Sequence, residues 1–116
     1  MKTVIALALA LTVLPAAASA HAFLDHANPK VGSTVATAPK ELRLWFTEKL
    51  EPAFSTAEVR NAQGTVVSGK AQAGGDGTEL RVPLKALANG TYSVSWRVLS
   101  VDTHRTQGSF TFRVGP

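Results

Sequence analysis

The sequence predicts an all-β fold, a single antiparallel β-sandwich of about seven short strands. Short runs alternate apolar and polar residues at period two, as half-buried strands do, and clusters of Gly, Pro, Asn and Asp separate them. No helical periodicity extends beyond a turn or two. The apparent leader occupies 20 of the 116 residues and leaves 96, enough for one small domain.

That leader has the parts of a secretory signal. Lys2 supplies the positive start, Val4 to Leu14 is an apolar run broken only by Thr12, and Ala18-Ser19-Ala20 is an A-x-A cleavage site. The apolar run is too short for a membrane span, which needs roughly 20 residues. The expected division is therefore a signal peptide over 1–20 and one domain over 21–116, beginning at His21.

His21 to His26 reads as a short strand entering a turn, with Asn28-Pro29 and Gly32-Ser33 as turn signals and Pro39 as a break. Glu41 to Thr47 alternates cleanly, with Leu42, Leu44 and Phe46 on one face. Glu48 to Pro52 is a polar loop, Phe54 to Arg60 a strand, and Asn61 to Gly64 a turn before Thr65-Val66-Val67. Lys70 to Gly77, rich in glycine, reads as a flexible hairpin loop. Glu79 to Val82 is a strand stopped by Pro83, and Leu84 to Ala88 is expected to form one helical turn. Thr91 to Leu99 places Tyr92, Val94, Trp96 and Val98 on one face; Gly108 to Val114 turns Phe110, Phe112 and Val114 inward.

Composition excludes several functions. Without Lys2 the chain carries 11 basic and 8 acidic residues, a net charge of +3 spread without a basic run. Nucleic-acid binding requires a concentrated basic face, so nucleic acid is not an expected partner. There is no cysteine, and the single methionine is Met1. A metal site in the mature domain must use nitrogen and oxygen donors, which excludes a soft Cu(I) site built on sulfur.

Asp102 and His104 interrupt the two strongest strands and stand two apart, which puts both on one side of an extended backbone. Cleavage before His21 would add an α-amine and a ring Nδ1 that can close on one metal as a chelate. Such an amine has a pKa near 8, against about 10.4 for lysine, so a metal displaces its proton more readily. With His104 and Asp102 the set becomes three nitrogens and one oxygen, which suits tetragonal Cu(II). Zn(II) accepts the same donors but stands below Cu(II) in the Irving–Williams order. Plainer readings compete: a chance histidine at position 21, an Asx-turn at Asp102, an ordinary loop histidine at 104. His26, Arg97 and Arg105 read as surface residues, Trp45 and Trp96 as packing, and Tyr92 as the tyrosine corner of a sandwich.

Several stretches together carry a family resemblance. They are His21-Ala22-x-Leu24 with Pro29 and Gly32, Ala38-Pro39, Leu44-x-Phe46-x-Glu48, Pro52-x-Phe54-Ser55 and Gly90-Thr91-Tyr92-x-Val94-x-Trp96-Arg97. Ser100-x-Asp102-x-His104 and Gly108-x-Phe110-x-Phe112 complete the series. In that order they resemble the CopC copper-resistance proteins over nearly all of residues 21–116. The resemblance implies a cupredoxin-like Greek-key sandwich that carries copper in the periplasm and is not an enzyme. It implies one Cu(II) per chain, held by the amine and ring of His21, by His104 and by Asp102, with Glu48 outside them as an orienting carboxylate. It also implies delivery to a CopD-type inner-membrane protein, expected here as a separate chain. Thr65 to Asp76, where some relatives carry a methionine-rich Cu(I) site, has neither Met nor His. Two other functions share parts of the pattern: a small copper oxidase or monooxygenase with an N-terminal histidine brace, and a metal-free immunoglobulin-like binding module.

Overall fold

The structure is a computed structural model and describes residues 22–116. Eight strands form two four-stranded sheets facing each other. β1 (Leu24–Asn28), β3 (Glu41–Phe46), β6 (Glu79–Pro83) and β5 (Gln72–Gly74) lie in that order in the first. The second orders β2 (Thr34–Val35), β8 (Arg105–Val114), β7 (Gly90–Leu99) and β4 (Thr56–Arg60). The sandwich is as expected, with one departure from a purely antiparallel pattern: β2 runs parallel to β8.

The alternation read from the sequence builds the core. Leu42, Leu44 and Phe46 of β3 face Tyr92, Val94, Trp96 and Val98 of β7 and Phe110, Phe112 and Val114 of β8, all of them buried. Phe46 meets Trp96 edge to face, with centroids 5.1 Å apart. Tyr92 Oη donates to the Ala88 carbonyl at 2.6 Å, which makes it the expected tyrosine corner.

Four local expectations change. The glycine-rich 70–77 stretch contains β5, which pairs with β6. Its glycines serve close approach as much as freedom: a Cβ at Gly74 would lie 2.6 Å from Glu79 Oε1. Phe54 belongs to a 3-10 turn, Pro52–Phe54, and the strand begins at Thr56. Leu84 to Ala88 forms no helical turn, because the Leu84 and Lys85 N–H groups bond to the Lys40 and Val67 carbonyls instead. Thr65 to Val67 makes only an isolated bridge, Val66 to Arg60, along the edge of β4.

On the outer face of the first sheet, Glu79 is covered by the side chains of Arg43 and Arg81. Arg43 Nε donates to Glu79 Oε2 at 2.6 Å, and its guanidinium lies 4.8 Å above the Trp45 ring. His26 stacks on the same indole at 4.4 Å and pairs with Asp25. Burial pushes the Glu79 carboxyl up, but the Arg43 bond and both guanidinium charges outweigh it and hold the carboxyl below its usual value. A depressed carboxyl stabilises the fold above its unfolded pKa and loses that contribution as pH falls through the folded value. Glu79→Gln is therefore expected to cost about 1.5–3 kcal/mol at pH 7, the range for a charge-assisted bond. The deficit should shrink below about pH 4, near the ordinary carboxylate range. Thermal midpoints of both proteins from pH 7 to 3 measure it, and a deficit constant with pH rules the charge out.

Candidate metal centre

The β7–β8 hairpin is in register from Gly90–Val114 to Leu99–Arg105, so its connection is only residues 100–104. Ser100 N–H donates to the His104 carbonyl at 3.0 Å and Thr103 N–H to the Ser100 carbonyl at 2.9 Å. Closing so tight a loop drives Thr103 to φ 73°, a left-handed conformation that is costly for a β-branched residue. The loop is thus a turn, not the extended segment on which the spacing argument for Asp102 and His104 relied. The pair meets all the same: His104 Nδ1 lies 3.2 Å from Asp102 Oδ1, with both side chains substantially exposed.

Ser100 organises the pair. Fully buried, it donates from Oγ to Asp102 Oδ1 and accepts the His104 N–H at 3.3 Å. Asp102 is held below the ordinary carboxylate range, first by that hydroxyl; burial opposes the shift, and the bonds to and charge of His104 add to the lowering. The carboxylate therefore stays ionised at neutral pH, as a metal ligand must.

The segment after β3 abuts this loop. Val101 N–H donates to the Lys49 carbonyl at 3.0 Å, and Leu50 bridges Ser100. Glu48 is half-buried there, and its carboxylate makes no hydrogen bond or ion pair among the described residues. The start of the described chain arrives at the same end. The Ala22 carbonyl accepts from Thr106 Oγ1, and Phe23 N–H donates to Thr47 Oγ1 at 3.0 Å. His21, the remaining expected ligand, lies outside the described residues, as do residues 1–20, the expected leader.

Among the described residues no group of three or more His, Asp or Glu side chains is arranged to hold a metal. Asp102 and His104 are paired as half of the expected donor set, hereafter the half-site, and His26 sits with Trp45 on the outer face of the first sheet. The sequence reading missed Ser100 as the organiser and Thr47 and Thr106 as anchors of the chain start. Ser100 stood in the motif without an assigned role. The Thr106 bond spans 84 positions, and no local pattern announces such a contact.

The fold and the half-site define a small two-sheet sandwich with a carboxylate and an imidazole presented from one end. The CopC domain model matches residues 24–115. Protein YobA of Escherichia coli K12 is 39% identical over 99 residues, 82% of this chain and 79% of that protein. Copper resistance protein C of Xanthomonas campestris pv. juglandis is 40% identical over 113 residues, covering 90% of this chain and 88% of its own. The crystal structure of CopC from Methylosinus trichosporium OB3b superposes with a TM-score of 0.78 at 37% identity, covering 83% and 95% of the two chains. The chain belongs to the CopC domain family.

Proposed function

We propose that this protein is a periplasmic copper carrier that binds one Cu(II) and passes it to a CopD-type membrane protein. The donors are the α-amine and ring of His21 after cleavage at Ala20, the ring of His104 and the carboxylate of Asp102. Glu48 acts from outside as an orienting carboxylate. The observation that carries the reading is the 3.2 Å His104–Asp102 pair, organised by Ser100 at the end of the sandwich to which Ala22 is tied. Relatives named as copper resistance proteins support copper as the cargo, and a donor set without sulfur favours Cu(II) over Cu(I). Leader cleavage and export accord with the A-x-A sequence ahead of His21.

The test is a titration of the exported chain after its mass has fixed where it begins. A mature chain starting at His21 should take up one equivalent of Cu(II) in competition with a chelator and release it readily on reduction to Cu(I). A chain that begins elsewhere, or that retains Cu(I) tightly, defeats this ligand assignment.

A further inference from the structure

The first two described residues are held from two sides. Ala22 is fully buried, and its carbonyl accepts the Thr106 hydroxyl. Phe23 N–H donates to Thr47 Oγ1 at 3.0 Å, and Thr47 N–H returns a bond to the Phe23 carbonyl at 2.9 Å. Thr47 directly follows β3 in the first sheet, while Thr106 is the second residue of β8 in the second. Ala22 and Phe23 are therefore pinned to both sheets at once. Thr106 lies two residues after His104 of the half-site, and Thr47 lies two residues before Lys49, whose carbonyl accepts from Val101 N–H of the same loop.

We propose that Thr106 and Thr47 form a clamp that positions residue 21 for the metal, acting as positioning residues and not as ligands. The proposal rests on the Cu(II) reading above and names the chain's own device for orienting the His21 chelate. A neutral hydroxyl is a poor copper donor beside amine and imidazole, but it is well suited to fix a peptide group. A free chain end loses conformational entropy when it is ordered on a metal. A clamp already formed in the metal-free fold moves that loss to the folding step, and the chelate then meets Asp102 and His104 preorganised. The clamp also requires a small residue at 22, because Ala22 has no exposed surface left.

Thr106→Val keeps the side chain's shape and removes the hydroxyl; Thr106→Ser keeps the hydroxyl and removes the methyl. In the mature chain, Thr106→Val is expected to weaken Cu(II) binding about 10–100-fold, the range for losing a group that orients a ligand. Its Cu(II) EPR parameters should shift, with circular dichroism unchanged. Thr106→Ser should restore both affinity and spectrum. Thr47→Val is the second probe: the Phe23 amide of the metal-free protein should exchange faster than in the unaltered chain. Should Thr106→Val fail to fold, this variant carries the affinity measurement as well. Unaltered affinity and spectrum in a folded Thr106→Val overturn the clamp, as does a serine variant no better than the valine one. His21→Ala separates the two levels. If it is weak while Thr106→Val is normal, only the clamp fails; if it binds as tightly as the unaltered chain, the His21 chelate fails and the clamp has nothing to position.

Discussion

One extra residue ahead of His21 is expected to weaken Cu(II) binding by more than about 100-fold, beyond the usual cost of losing an outer partner. The extension leaves the His21 side chain intact but turns its α-amine into an amide, which does not coordinate copper unless it is deprotonated. His104→Ala should cost about as much, because it removes the only imidazole of the half-site among the described residues. Asp102→Ala should cost less, since water supplies a replacement oxygen. Glu48→Ala should cost least, within about 10–100-fold. None of the four changes touches the core of Leu44, Phe46, Trp96, Phe110 and Phe112, so circular dichroism should show an intact fold. Chelator competition measures the series. An extended chain that binds as tightly as the mature one eliminates the amine as a donor.

Gly108→Val should produce the largest loss of stability. Gly108 pairs directly across from Trp96, and a Cβ there would sit 2.5 Å from Trp96 Cζ2 and 2.8 Å from Cε2. The indole cannot easily give way, because it is itself 7% exposed and packs edge-on against Phe46. Overpacking of this kind costs about 1–3 kcal/mol, and two extra methyl groups against backbone-anchored aromatics place valine at the upper end. For a domain of this size the thermal midpoint should fall by on the order of 10–20 °C. Calorimetry measures it, and Gly108→Ala should fall between the two. A valine variant with an unchanged midpoint would mean that the β7–β8 ladder tolerates the side chain without moving Trp96. The Gly-x-Phe-x-Phe pattern of β8 thus has a steric cause: the glycine makes room for the indole opposite.

Much of the sandwich is legible along the chain because period two is a local property. Leu42, Leu44 and Phe46, or Tyr92, Val94, Trp96 and Val98, declare their buried face without knowledge of what covers it. Asp102 and His104 are legible for a similar reason: their separation is so short that either an extended segment or a turn can bring them together. The structure realises the turn. Glycine misled where it marked proximity rather than flexibility, as at Gly74, which leaves space for Glu79 in what becomes the edge strand β5. β2 escaped notice because two residues are too few to show a period, and it exists only through its pairing with β8. By itself the sequence determined which residues face inward, that residues 22–116 carry no sulfur donor, and which short motif presents a carboxylate beside an imidazole. Only the tertiary structure decided that Ser100 organises this motif and that Thr47 and Thr106 hold Phe23 and Ala22 at the same end. Those hydrogen bonds to the chain start cross 24 and 84 positions, and a hydroxyl's partner across such a distance is set by how the two sheets pack, which leaves no periodic trace in the residues on either side.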